Sequence, residues 1–113
     1  MPVHSVILRN IRDGAGLRYL EATLSAAGDV TISGQDLGAG VEAVFGAGNR
    51  EYEWAWTIRG AEVGRLRAAL GCAAGDDVLV ALHTQFADDA AAQILPFLAA
   101  HEIAYDVWSR IGE

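Results

Sequence analysis

The chain has 113 residues, 15 acidic and 8 basic, for a net charge of −7. With 52% hydrophobic residues it has the composition of one folded globular domain and not of a disordered chain. All the basic residues are arginines, and only Arg65 and Arg67 stand close together, which excludes the clustered cationic surface that displaces counterions from nucleic acid or binds an anionic membrane.

No apolar run approaches the roughly 20 residues of a membrane span. The start of the chain lacks the basic, then long apolar, then small-residue order of a secretory signal. The single cysteine, Cys72, cannot close an internal disulfide. A soluble, cytoplasmic protein is therefore expected.

Residues 5–11, SVILRNI, are rich in β-branched side chains and predict a strand. DGAG at 13–16 supplies a turn. In the next strand Leu20, Ala22 and Leu24 share one face, and Tyr19, Glu21 and Thr23 the other. AGD at 27–29 is a second turn. VTIS follows, with Val30 and Ile32 inward. This is the pattern of an antiparallel meander with one covered face.

Residues 34–50 hold Gly34, Gly38, Gly40, Gly46 and Gly48. They read as loop, with a short helical turn over 41–45. Gly38 to Ala43 spell GAGVEA, which matches a dinucleotide-binding fingerprint in letters. That fingerprint needs a long helix and a following parallel strand, and the glycines interrupt the segment too soon. Asp36 stands just before it, where it repels phosphate. No cofactor is expected there.

A strand follows in EYEWAWTIRG. Tyr52, Trp54, Trp56 and Ile58 fall on one face, Glu51, Glu53, Ala55, Thr57 and Arg59 on the other. The rings read as core beneath helices rather than as a stacking platform. Glu51 and Glu53 lie about 7 Å apart along the strand. Two carboxylates at that separation can perform acid/base chemistry, but catalytic pairs come from different elements around a cleft. The pair reads as the wet face of an amphipathic strand.

Helical spacing begins at 61, with Val63, Leu66 and Leu70 in a stripe and Gly71 placed as a C-terminal cap. Asp76 or Asp77 caps a second helix carrying Val78, Leu79, Leu82 and Phe86. Asp88 or Asp89 caps a third, whose Pro96 is best placed in the first turn of a helix over 96–101. Residues 103–109, IAYDVWS, predict a closing strand. On it Trp108 shares a face with Ala104 and Asp106, so a partly exposed tryptophan of the kind enriched at interfaces is expected.

No metal is expected. His4, His83 and His101 lack a second histidine or a cysteine at ligand spacing. His83 borders the second helical stripe and reads as a partly buried flank. His101 lies near a helix C-terminus, and Cys72 reads as the small residue that follows a helix-ending glycine. No serine sits in a GxSxG setting, and the chain has no lysine for a phosphate-binding loop.

The frame GQDLG, EYEW, LGC, GDDVLVALHTQFA and ILPFLAAHEIAYDVWSRIG resembles a group of short, uncharacterised bacterial proteins from high-GC genomes. The GQDLG loop, the EYEW strand and the closing WSR recur in that group. The resemblance spans most of residues 5–112 and implies no activity. It points to Gln35, Asp36, Glu51, Tyr52, Trp54, Trp108 and Arg110 as a shared surface. In size and acidity the chain is also similar in style to immunity proteins that neutralise bacterial toxins.

These readings predict a single α+β domain over residues 1–113. An antiparallel sheet of about five strands carries two or three helices on one face, in the order β-β-β-β-α-α-α-β. The expected function is a small acidic protein-interaction module, preferred over an enzyme. Its surface comprises Gln35, Asp36, Glu42, Glu51, Glu53, Trp108 and Arg110, and it meets a basic protein partner or a second copy. The alternative is a small-ligand binder or enzyme with Asp36, Glu51 and Glu53 around a pocket beside the glycine-rich segment.

Overall fold

The computed structural model describes residues 4–14, 16–46, 48 and 50–112. Strand β1 (Ser5–Asp13) turns directly into β2 (Gly16–Leu24), closing on the Asp13–Gly16 pair. Gly16 has φ +122°, and a Cβ there would lie 1.7 Å from the Leu37 carbonyl oxygen, so only glycine fits. A bulge between Ile7 and Arg9 shifts the register of β1. The second turn is held by Ser25, whose backbone N–H donates to the Asp29 carbonyl while its hydroxyl accepts from the Asp29 N–H. It leads into β3 (Val30–Leu37), then a seven-residue helix α1 (Ala39–Phe45) and β4 (Glu51–Ile58).

All neighbouring strands are antiparallel, in the order β1-β2-β3-β4-β5. The last strand, β5 (Asp106–Gly112), returns to β4 after the helical segment. That segment comprises α2 (Gly60–Leu70), α3 (Val78–Phe86), a 3-10 turn over Asp88–Gln93 and α4 (Ile94–Ala100). The fold is thus an α+β sheet with its main helices on one face, as the pattern of strands followed by helices predicts.

Each helix end has a local cause. Asp29 Oδ1 accepts from the Gly60 N–H at 2.7 Å, so the β2–β3 turn supplies the acceptor that starts α2. Gly71 ends α2 in the left-handed region at φ 77°. Its N–H donates to Ala68, and the Cys72 N–H donates to Arg67, a Schellman pair that leaves Cys72 half-buried against the core. Asp77 caps α3 by accepting from Leu79 and Val80. Pro96 stands in the first turn of α4, where its missing N–H removes no helical bond.

The core lies between the helices and one sheet face. Leu8, Leu20, Ala22, Val30, Ile32, Trp54 and Ile58 meet Leu66, Leu70, Leu79, Leu82, Ile94 and Leu98 there. Trp54 is 8% exposed, and its indole occupies the space beside Gly34 where a Cβ would stand. Helix α3 packs on β1 and β2, and the 3-10 turn packs on β1, so the helical layer sits toward the β1 side.

Four local expectations are corrected. Residues 34–37 are strand, not loop: Gly34 pairs with Leu20 and Trp54, and the missing side chain is the space the indole occupies. The helix carrying Pro96 begins at Ile94, and the closing strand runs over Asp106–Gly112, so Ile103 is a buried anchor before it. His83 is exposed rather than a buried flank.

Candidate interaction face

The face of the sheet opposite the helices is built from four cross-strand rows. One is Ser5, Thr23, Thr31, Thr57 and Asp106. The next is Ile7, Glu21, Ser33, Ala55 and Trp108. The third is Asn10, Tyr19, Gln35, Glu53 and Arg110, and the fourth is Arg12, Leu17, Leu37, Glu51 and Gly112. Because side chains alternate along every strand, these residues share one surface. Tyr52, Trp54 and Trp56 point the other way, so the rings of β4 turn toward the core and its carboxylates turn away from it.

The acids on this surface are tethered. Gln35 Nε2 donates to Glu51 Oε1 at 3.2 Å and to Glu53 Oε1 at 3.4 Å. Arg110 Nη2 lies 3.6 Å from Glu51, and its Nε lies 3.8 Å from Glu53. The side chains of Glu51 and Glu53 retain 20% and 28% exposure, so neither is freely solvated. A hydrogen bond between the two carboxyls lowers the pKa of Glu51, and Gln35 and Arg110 add to the effect. The same hydrogen bond and partial burial raise Glu53 against the opposing pull of Arg110.

A shallow groove of about 270 Å³ crosses the middle of this face. Ser33 and Ala55 form its floor, with the backbone of Gly34 and Trp54. Tyr19 and Trp108 stand at its sides, and Glu21, Gln35 and Glu53 supply polar atoms. The groove exists because the row that ends at Trp108 carries the small residues Ser33 and Ala55 on the two strands between the rings. Tyr19 donates its hydroxyl to Glu21 at 3.2 Å, which fixes one wall. Trp108 on the other wall is 54% exposed.

Gln35, Glu51, Glu53, Trp108 and Arg110 thus come together on one surface. Asp36 does not join them. Once residue 36 belongs to a strand, it must face opposite to Gln35, and it lies on the helical side in a row with Ile11, Arg18, Tyr52 and Ile111. Burial raises its pKa, and Arg9 and Arg18 pull in the other direction less strongly. A pocket joining Asp36, Glu51 and Tyr52 is therefore not formed, because the sheet separates Glu51 from Asp36 and Tyr52. Glu42 is on α1, and its side chain lies outside the described residues.

Tyr19 and Glu21 escaped the sequence reading as site residues. Their outward alternation was visible, but only the register of β2 on β3 and β4 brings them beside Glu53 and Trp108. His83 is on α3 and His101 is the cap that follows α4, where its ring packs on Phe97 at a centroid distance of 4.6 Å. Among the described residues, no three His, Cys, Asp or Glu side chains gather as metal ligands. The segment after Gly38 forms only the seven-residue α1 and enters an antiparallel strand, unlike a dinucleotide-binding unit.

Comparisons of the chain with protein-family models, curated proteins and solved structures gave no match.

Proposed function

We propose that this protein is a small interaction module that uses the outer sheet face to hold a basic partner protein. The observation that carries the reading is the groove between Tyr19 and Trp108, with the carboxylates of Glu21 and Glu53 at its edge. Aromatic walls and carboxylates together suit an arginine side chain, through cation–π contact and charge-assisted hydrogen bonds. The net charge of −7 steers such a partner toward the face. Immunity-protein-like neutralisation of a cationic toxin is one instance of this class. No helix among the described residues is long and apolar enough to cross a membrane.

The test is titration of an arginine-rich peptide followed by tryptophan fluorescence, with a glutamate-rich peptide of equal length as control. Binding to the basic peptide that weakens with salt, and that is lost in Glu21→Arg and Glu53→Arg, supports the reading. Binding that is unchanged by both reversals removes it.

A further inference from the structure

The two edges of the sheet are built differently. β1 is bulged between Ile7 and Arg9, carries Arg9, Arg12 and Asp13, and is overlaid by α3 and the 3-10 turn. Those are the devices that protect an edge from pairing with another chain. β5 carries two charges, Asp106 and Arg110, but it lacks the bulge and the helical cover. It has seven residues, an unbroken register with β4, no proline and no lysine. Among the described residues, no backbone group pairs along its outer side. It also displays three large exposed apolar side chains: Val107 at 66%, Trp108 at 54% and Ile111 at 47%.

We infer that β5 is a self-association edge, where a second copy of this chain adds its own β5 antiparallel to form a continuous ten-stranded sheet. The partner follows from the sequence of the strand. Antiparallel pairing about a two-fold axis puts residues of the same face opposite each other, so the axis must pass through a residue. Centred on Ser109, the seven residues overlap end to end. Val107 then meets Ile111 of the second copy on the helical side, and Trp108 meets its Arg110 on the outer side. Each contact occurs twice. The first is an apolar cross-strand pair, and the second is a cation–π pair.

Neighbouring registers are poorer. Centring on Arg110 sets two guanidiniums face to face. Centring on Trp108 leaves Val107 opposite Ser109 and removes Ile111 from the strand overlap. A seven-residue edge is a small interface, so the dimer belongs to the weak, concentration-dependent class. The inference concerns the sheet edge and stands whether or not the outer groove binds a basic partner.

Sedimentation equilibrium of the full chain up to about 1 mM tests it, since that range detects even a weak complex. A reversible dimer is expected. Val107→Lys and Ile111→Lys, both at exposed positions, should each weaken it at least about tenfold while leaving the melting temperature of the monomer near that of the parent. The register is read by Ser109→Cys in a Cys72→Ala background. At the axis the two Cα atoms lie about 4.5 to 5.5 Å apart, within disulfide reach, so mild oxidation should yield a cross-linked dimer that retains its circular dichroism. A chain that stays monomeric throughout, or a dimer untouched by both lysine variants, overturns the inference. A dimer that does not cross-link through residue 109 overturns the register.

Discussion

Gly34→Ala examines the packing on which the interaction face depends. A Cβ at residue 34 would lie 2.2 Å from Cζ2 of Trp54, 2.4 Å from Cε2 and 2.7 Å from Cη2. Ordinary carbon–carbon contact begins near 3.5 Å, so the indole must retreat by about 1.3 Å. The ring has little freedom, because it is buried, stacks on Tyr52 at 5.1 Å and leans on Trp56 at 6.3 Å. Overpacking of this kind costs about 1 to 3 kcal/mol, and complete displacement of a buried tryptophan about 3 to 5. The expected loss is about 2 to 4 kcal/mol, or roughly 8 to 16 °C in Tm for a chain of this size. This outweighs the gain of about 0.5 to 1 kcal/mol that alanine normally brings to a strand interior.

Urea denaturation followed by circular dichroism measures the loss, and Trp54→Phe provides the control. Phenylalanine lacks Cζ2 and Cη2, two of the three atoms that collide, and its smaller ring can draw back from the third. Among the described residues the indole N–H has no hydrogen-bond partner, so removing it sacrifices none there. In the Trp54→Phe background, Gly34→Ala should be nearly neutral, giving a coupling of about 2 kcal/mol. Equal losses in both backgrounds would refute the argument that the indole requires this glycine.

Gly16→Ala should be more damaging, by more than about 3 kcal/mol or to the point of misfolding. Its Cβ meets backbone rather than a movable side chain, at a φ that L residues rarely adopt; soluble yield and thermal melting report it. Asp77→Ala should lower stability by about 1 kcal/mol through loss of the α3 cap, and Asp77→Asn, which keeps an acceptor, by a few tenths at most. Asp36→Asn should stabilise the protein at neutral pH, because burial penalises the ionised carboxyl. A carboxyl whose folded pKa is raised gains a proton on folding, so the parent recovers stability as pH falls through that pKa, and the advantage of the variant should shrink below about pH 4. Chemical denaturation at pH 7 and pH 3 decides this, and an equal difference at both pH values would contradict it.

The alternation of EYEWAWTI was enough to place rings inward and acids outward, because a period of two leaves a strand no other choice once one face is covered. The helix-ending glycine at 71 and a cap at Asp76 or Asp77, which the structure places at Asp77, were legible for the same reason: each satisfies backbone groups within a few residues. The continuation of β3 through GQDL was not legible. Glycine, glutamine and aspartate signal a loop locally, and the reason for Gly34 lies on another strand. That one omission also misplaced Asp36, whose side follows at once from strand alternation. Tyr19 and Glu21 entered the groove only through pairing across β2, β3 and β4, which no local pattern encodes.

The manner in which β5 is recruited bears on how the chain assembles and where it first comes apart. The meander β1 to β3 closes by short local turns, whereas β5 waits 47 residues, 59 to 105, after the strand it joins. Ring closure over that length opposes docking more than a tight hairpin does, and apart from the β4 ladder the strand is tied by ion pairs at partly exposed side chains, Arg59 to Asp106 at 2.7 Å and Arg110 to Glu51 and Glu53 at 3.6 and 3.8 Å. It is therefore the natural last arrival in folding and the first unit to open. Amide hydrogen exchange over 106–112 should proceed through brief partial excursions, with the rest of the sheet released only by complete unfolding.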